Sequence, residues 1–154
     1  DNDFEKVNGV TTTLRAVLEH APPGLGLRVY TASRHALDDC RYHSQRARGM
    51  PIPFYREMNI YLPRVAAFRR AVQADGAEVV HLTTPGPVGL AGMRVARQLG
   101  LPMVGSFHTD LSAYARQLSG SDALAAAVRL FLRWPYGRCA RVLAPSEATR
   151  QLLM

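Results

Sequence analysis

The hydrophobic positions of the chain follow two patterns, short apolar runs and longer stretches with helical spacing. Four runs rich in valine and leucine predict buried strands: LRVYTA from Leu27, EVVHLT from Glu78, PMVGSF from Pro102 and ARVLAP from Ala140. Helical spacing predicts helices over Val10 to His20, Leu62 to Ala74, Val88 to Leu99 and Ala123 to Trp134, with another beginning near Glu147. Strands that alternate with helices indicate the α/β class, with a mostly parallel sheet flanked by helices.

Proline and glycine mark the ends of one of these helices clearly. Pro87 stands at the first turn of the Val88 helix, Gly100 follows its last turn, and Pro102 then begins a strand. The segment of residues 38–63, DDCRYHSQRARGMPIPFYREMNIYLP, fits neither pattern. It is long, basic and aromatic, and we expect irregular structure there.

A turn stands almost at the start of the chain, in VNGVTTTL from Val7. Asn8 and Gly9 tolerate the left-handed backbone of a tight turn, and such a turn normally follows a strand. It has two interpretations. It is either a plain strand-to-helix connection or a loop where Gly9 lets a ligand approach the backbone and helix-terminal amides attract a phosphate.

Polar residues that follow the predicted strands are the candidates for a binding site. In a parallel α/β sheet, ligands bind beyond the carboxyl ends of the strands. The corresponding loops here contain NGV, TTPGPVG, HTD and SEAT. In the second of these loops, Gly86 is expected to supply the turn and Pro87 the first helical residue.

The third loop is the most informative, because a histidine, a hydroxyl and a carboxylate follow an apolar strand directly at its end. His108 is therefore a candidate site residue. The alternative is that Thr109 or Asp110 caps a following helix while His108 merely packs nearby. His81, inside the apolar VVHLT, is interpreted as a core histidine with its hydrogen bonds satisfied.

Composition bounds the class of protein. The 154 residues, 47% hydrophobic and 20% charged, are typical of one globular domain. No apolar run reaches the roughly 20 residues of a membrane span, so a cytoplasmic protein is expected. Cys40 and Cys139 are interpreted as reduced and structural, and no metal site is predicted because histidines and cysteines lack ligand spacing. The glycines match neither GxGxxG nor the P-loop, which disfavours nicotinamide chemistry and P-loop hydrolysis.

The net charge indicates a class of binding partner but does not identify which partner of that class is bound. The net charge of +7 favours phosphate-bearing partners such as nucleotide sugars, anionic lipid headgroups or nucleic acid. One region mixes tyrosine and phenylalanine with seven arginines: Arg41, Arg46, Arg48, Arg56, Arg64, Arg69 and Arg70. This region either faces an anionic acceptor or membrane or is a solvated basic surface. No zinc-finger, helix-turn-helix or RNP signature supports nucleic acid, and none is expected as a partner.

Several stretches in order resemble one family. DNDFEKVNGVTTTL, then EVVHLTTPGPVGLAGMRVARQLGLPMVGSFHTDLSAYAR, then VLAPSEATRQLL are similar to the N-terminal half of family 4 retaining glycosyltransferases of the GT-B fold. The resemblance is nearest to bacterial enzymes that glycosylate lipids, inositol phosphates or similar acceptors. It implies a two-domain enzyme whose N-terminal Rossmann-like domain holds the acceptor and whose C-terminal domain holds a nucleotide sugar.

The resemblance also implies roles for individual residues. His108 matches the histidine that contacts the transferred sugar, and it is the candidate catalytic residue. The loop that approaches the donor diphosphate and sugar matches Asn8, Gly9 and Val10. Further acceptor or sugar contacts are assigned to Thr84, Gly86, Thr109, Asp110 and Tyr114. No cofactor is implied besides the nucleotide sugar as co-substrate. Retention by front-face attack needs no protein nucleophile, and a lipid acceptor would place the enzyme at the inner face of the plasma membrane.

Two departures from the family pattern indicate a fragment, residues 1–154 of an acceptor-side domain. The first strand of the family survives only as DND, and the donor-binding domain is absent. We therefore expect a strand outside this numbering to fill the position between the Leu27 and Glu78 strands. We also expect Gly9 and His108 to lie on one rim, at the carboxyl end of the sheet. The fragment alone is expected to transfer no sugar. The rival hypothesis is a non-catalytic Rossmann-like module that binds a phosphorylated ligand or an anionic membrane surface.

Overall fold

The computed structural model describes residues 9–52 and 55–153. The helices are α1 (Gly9–Glu19), α2 (Val65–Ala74), α3 (Pro87–Leu99), α4 (Leu111–Ser119), α5 (Asp122–Tyr136) and α6 (Glu147–Leu153). The strands are β1 (Val29–Ser33), β2 (Leu37–Asp38), β3 (Tyr42–Arg46), β4 (Gly49–Ile52), β5 (Tyr55–Tyr61), β6 (Val80–Leu82), β7 (Met103–Ser106) and β8 (Arg141–Leu143). The four strands predicted from apolar runs are confirmed as β1, β6, β7 and β8, and the five predicted helices as α1, α2, α3, α5 and α6.

The parallel strands fall into two separate sheets. One sheet has the order β1-β3-β2, in which β1 and β3 are parallel and β2 is antiparallel to β3. The other has the order β6-β7-β8, all parallel. The α/β class and the parallel sheet flanked by helices are thus confirmed.

The prediction of irregular structure over residues 38–63 was wrong. This segment supplies β3 and an antiparallel hairpin of β4 and β5. The reason lies in the composition of β3, YHSQR, which has no apolar run because only Ser44 of its five residues is buried. A half-exposed strand needs no continuous hydrophobic pattern, so no apolar run marks β3 in the sequence.

The main core holds the two sheets together from one side. Ala32 of β1 and Phe68 of α2 are buried against α3, where Val95 is fully buried. The other members of this cluster are Tyr61, Val72, Val88 and Ala91. A second cluster lies between the other sheet and α5 and contains Leu82, Phe107, Leu132 and Tyr136. Burying these side chains is the main source of stability that the described residues offer.

A gap separates the two sheets beside this core, and Phe68, Val72, Val88 and Val95 of the core also line it. Within residues 9–52 and 55–153, no strand pairs with the outer edge of β1 or of β6. A cavity of about 1000 Å³ lies between them and is lined by Val29 and Tyr30 of β1 and by Val80 to Leu82 of β6. This volume far exceeds the roughly 30 Å³ of a single water, so the space is wide enough for a segment of chain.

Helix α1 borders the same cavity with its apolar side. Leu14, Val17 and Leu18 line the cavity, and Val17 remains 47% exposed. Since an amphipathic helix is stabilised chiefly by burying its apolar stripe, α1 lacks much of that stabilisation in the described part of the chain. The expectation that the Leu27 and Glu78 strands are separated is confirmed.

A polar network closes one side of the cavity. Both Asp75 carboxylate oxygens accept hydrogen bonds of 2.6 Å from Arg28, and Tyr30 donates to the same carboxylate. These bonds, the one from Tyr30 foremost, hold the pKa of Asp75 below its usual value, while burial raises the pKa of Tyr30. The network ties β1 to the C-terminal end of α2, where Asp75 is the capping residue.

The two cysteines differ in their surroundings. Cys139 is half-buried among core side chains, and burial raises the pKa of its thiol. Cys40 is exposed. Neither forms a disulfide bond in the structure, and only Cys139 has the structural surroundings expected of both.

Glycines in α3 allow a close approach between the helix and the strand before it. A Cβ at Gly89 would overlap the carbonyl oxygen of Thr84 and would lie 2.7 Å from Cδ1 of Leu82. The expected C-terminal signal is confirmed, because Gly100 adopts the left-handed conformation with φ of 68°. Gly86 is the N-cap with φ of −84°, a conformation open to any residue, so the turn does not require a glycine there.

We predict that Gly89→Ala lowers the free energy of unfolding of this chain by about 1–3 kcal/mol, because the added methyl group forces the helix away from Thr84. Gly92→Ala in the same helix is the matched control, since its Cβ would meet only Val80 at an ordinary 3.8 Å. That variant should be neutral or more stable by up to about 1 kcal/mol through helix propensity. Urea denaturation measures both, and equal stability of the two variants would contradict the close approach.

Candidate functional site

The carboxyl ends of β6, β7 and β8 form one rim of the parallel sheet. Because the three strands are parallel and adjacent, the segments that follow them, residues 83–86, 107–110 and 144–146, emerge at the same edge. Backbone and side-chain groups from three separate stretches of sequence therefore meet there. This edge is where open α/β sheets bind their ligands.

Two histidines belong to this region. His108 lies at the rim, and His81 lies on the neighbouring strand β6. His108 follows β7 and is half-buried, and burial lowers its pKa. His81 of β6 places Nε2 2.6 Å from the hydroxyl of Ser106, and burial, followed by the nearby charge of His108, lowers its pKa too. The hydrogen bond expected for His81 is confirmed, but its core position is wrong. Its ring borders the cavity between the sheets and is exposed there.

The lowered pKa values determine the protonation state of these rings at pH 7 and hence their hydrogen-bonding groups. An imidazole with a pKa below 6.5 is neutral at pH 7 and has one N–H donor and one acceptor nitrogen. His108 can therefore hydrogen-bond a hydroxyl group of a sugar. It supplies no full positive charge for a phosphate, which would have to come from amides or arginines.

Asp110 is the N-cap of α4. A helix cap at this position was the alternative interpretation of HTD in the sequence. Its Oδ1 accepts hydrogen bonds from the amides of Ser112 and Ala113, both at 3.0 Å, and from the Ser112 hydroxyl at 2.6 Å. Burial alone would raise the pKa of Asp110, but these bonds lower it overall. The carboxylate is thus ionised and held in place, which suits a helix cap better than a nucleophile.

The remaining rim residues differ in their accessibility. Thr109 is exposed, and Tyr114, on α4, is 50% exposed. Thr84 and Gly86 are half-buried in the loop after β6.

Sequence reasoning missed Gly89 here, although the glycines at 86, 89 and 92 recur every third residue. That spacing places 89 and 92 on the side of α3 that faces β6, and Gly89 fixes where the Thr84 carbonyl lies.

The opening loop is described only from its last residues. Helix α1 begins at Gly9, which is exposed and has open space where a Cβ would be, and Val10 is half-buried. Asn8 lies outside the described residues. The expected placement of Gly9 and His108 on one rim stays a prediction.

The seven arginines do not form one cluster. Arg46, Arg48 and Arg64 line a shared cavity of about 890 Å³ beside β3. Arg41 precedes β3 and Arg46 ends it, so the length of the strand, roughly 16 Å, separates them. Arg69 and Arg70 are exposed on α2, and of Arg56 only the backbone, in β5, is described.

The described residues contain neither a membrane-spanning helix nor a metal-binding cluster. None of their helices has the length and apolar content needed to cross a membrane. No group of three histidine, cysteine or acidic residues among them is placed to hold a metal ion.

Fold and rim together define a Rossmann-like α/β domain, with parallel strands that present histidine and hydroxyl groups at their carboxyl ends. The model of Glycosyltransferase Family 4 matches residues 7–154, and the chain belongs to this family. The resemblance seen in its motifs is thereby confirmed. No solved structure matches the chain significantly.

Three relatives illustrate the similarity. The chain is 29% identical to a GDP-mannose-dependent alpha-mannosyltransferase of Mycobacterium tuberculosis (strain CDC 1551 / Oshkosh), over 97% of this chain and 41% of that protein. It is equally similar, at 29%, to the enzyme of the same name from Mycolicibacterium smegmatis (strain ATCC 700084 / mc(2)155), over 96% and 40%. An Alpha-monoglucosyldiacylglycerol synthase of Streptococcus pneumoniae (strain ATCC BAA-255 / R6) is 25% identical over 99% and 35%. The chain thus spans about two fifths of the length of the two mannosyltransferases.

We predict that His81 and His108 titrate below 6.5 in the folded chain and return to ordinary values in urea. The unfolded chain then binds more protons than the folded one between the folded pKa values and 6.5, so the free energy of unfolding falls as the pH drops through that range. NMR titration of the imidazole resonances measures the pKa values. Folded values at or above those in urea would contradict the partial burial of the two rings.

Proposed function

We propose that this chain is the N-terminal, acceptor-side domain of a retaining glycosyltransferase. The parent enzyme transfers a sugar from a nucleotide sugar to an acceptor hydroxyl, and the chemistry takes place in the cleft between this domain and a C-terminal donor domain. The observation that carries the proposal is the placement of His108, neutral and half-buried, at the carboxyl rim of a chain whose family is Glycosyltransferase Family 4. The coverage of about two fifths of its relatives supports a second domain.

The proposed reaction breaks the bond between the anomeric carbon and the diphosphate and forms a bond to the acceptor oxygen, whose proton passes to the departing diphosphate. His108 donates a hydrogen bond to a hydroxyl of the sugar as its ring becomes oxocarbenium-like. Amides at the start of α1, in the loop of Asn8, Gly9 and Val10, stabilise the negative charge on the diphosphate. Asp110 takes no part as a nucleophile because its carboxylate caps α4.

The relatives support the choice of donor and acceptor to test. GDP-mannose is the first donor to test, since two relatives at 29% identity are named for it. A sugar or lipid hydroxyl is the acceptor class, and the relative named for diacylglycerol supports including lipids. Thr84, Gly86, Thr109 and Tyr114 surround the rim and are proposed to contact the acceptor or the sugar.

The proposal includes a missing strand. A segment that precedes α1 in the complete protein is proposed to fill the gap between β1 and β6, because a right-handed β-α-β crossover from that position leads through α1 to β1. Without this strand and the donor domain, the chain of 154 residues should transfer no sugar.

We predict that His108→Ala in the complete enzyme lowers kcat by about a hundredfold or more, since it removes a hydrogen bond that strengthens in the transition state. Its melting temperature should change little, because the ring is only half-buried. His20→Ala is the matched control, since that histidine is exposed and follows the C-terminal end of α1, and it should retain full activity. Steady-state kinetics with GDP-mannose and a panel of other nucleotide sugars measures the effect.

Two results would contradict the proposal. An unchanged kcat with a lowered melting temperature would leave His108 with a packing role. A complete protein that binds phosphorylated ligands but transfers no sugar from any donor would favour the rival hypothesis, a non-catalytic binding module.

A further inference from the structure

Helix α5 is apolar on two opposite faces. One face packs onto the sheet, with Ala125, Leu132 and Tyr136 buried. The opposite face carries Ala123, Ala127, Leu130 and Trp134, whose spacing of 4, 3 and 4 residues places them in one stripe along the helix. All four are exposed. An ordinary surface helix has a polar outer face, so this stripe needs an explanation.

The exposed stripe is wide and contains large side chains. Leu130 is 68% exposed and Trp134 45%, and beside them Leu124 and Phe131 are 46% and 45% exposed. Helix α4 packs against α5 and adds further exposed apolar side chains, Tyr114 and Leu118. Among the described residues, nothing covers this outer face of α5, which we define as Ala123, Ala127, Leu130, Phe131 and Trp134.

Arginines outnumber acidic residues in and around α4 and α5. Residues 111–138 contain four of them, Arg116, Arg129, Arg133 and Arg138. Arg133 and Arg138 lie beside the outer face, whereas Arg129, four residues after the buried Ala125, lies toward the packed face. The single acidic residue in the same stretch, Asp122, is paired with Arg116 at 2.8 Å. The guanidinium of Arg138 lies 4.8 Å from the centre of the Trp134 ring. The apolar stripe is therefore bordered by net positive charge.

We propose that the outer face of α5 binds the surface of an anionic lipid bilayer. The helix would lie in the plane of the interface, with Leu130, Phe131 and Trp134 inserted among the acyl chains and the arginines on phosphate groups. A combination of tryptophan, phenylalanine and leucine on one side with arginines at the border is typical of helices that bind membrane surfaces. A buried protein contact would cover the stripe equally well but gives no reason for Arg133 and Arg138 beside it.

This surface is distinct from the arginines of residues 41–70 and does not depend on the proposed transfer activity. Each arginine near an anionic surface contributes a modest, salt-sensitive attraction, and the apolar side chains contribute a salt-insensitive one. Binding should therefore require anionic lipid, weaken in salt and depend on apolar side chains of α5.

Trp134 provides the measurement, because it is the only tryptophan of the chain. With vesicles of phosphatidylcholine and phosphatidylglycerol, the tryptophan emission of the 154-residue chain should shift to the blue, and brominated lipids should quench it. Vesicles of phosphatidylcholine alone should give a much weaker response. The absence of a shift and of quenching with anionic vesicles would overturn the proposal, as would an equal response to neutral vesicles.

Variants locate the binding surface. Leu130→Gln should weaken vesicle binding about tenfold, since it removes one large inserted side chain, and Arg133→Gln should weaken it about fivefold. Leu62→Gln is the matched control, because Leu62 is 60% exposed but lies beside the arginines Arg46, Arg48 and Arg64. Circular dichroism confirms that each variant is folded. Loss of binding in Leu62→Gln with full binding in Leu130→Gln would overturn the proposal and place the membrane contact at residues 41–70.

Discussion

Each strand inside a parallel sheet has two hydrogen-bonding edges, and in the described part of this chain β1 and β6 each use only one. Leaving backbone donors and acceptors of buried strands unpaired is costly, so the other edges require a partner or water. The two sheets are instead joined through α2 and α3, where Ala32, Phe68 and Val95 form a common core. The arrangement of the domain depends on this connection and on what occupies the gap beside it.

The gap also affects the candidate site, because strand β6 borders both the gap and the site. His81 of β6 opens onto the cavity with one side of its ring and bonds Ser106 of β7 with the other. Ser106 ends β7, and His108 follows two residues later. Anything that fills the cavity thus changes the burial of His81 and with it the protonation of that histidine. The rim is fixed from the other side by the close contact of Gly89 with Thr84.

Sequence patterns predicted the elements that bury apolar faces and missed those that do not. The strands β1, β6, β7 and β8 and five helices follow hydrophobic patterns, and the predicted position of HTD just after a strand is confirmed at the end of β7. In contrast, β3 is polar because it is half-exposed, and the five-residue length of that strand separates Arg41 from Arg46, which are close only in sequence. The environment of His81 and the requirement for Gly89 depend on neighbours distant in sequence, which no local pattern reveals.

The central claim is that the space between β1 and β6 is the position of one further parallel strand. The most direct test compares amide hydrogen exchange of the 154-residue chain with that of a longer chain that includes the residues preceding Asp1 in the complete protein. Our account predicts slower exchange along β1 and β6, burial of Val17, and a higher free energy of unfolding in the longer chain. Unchanged exchange at both strands, or cross-strand contacts that pair β1 directly with β6, would contradict it.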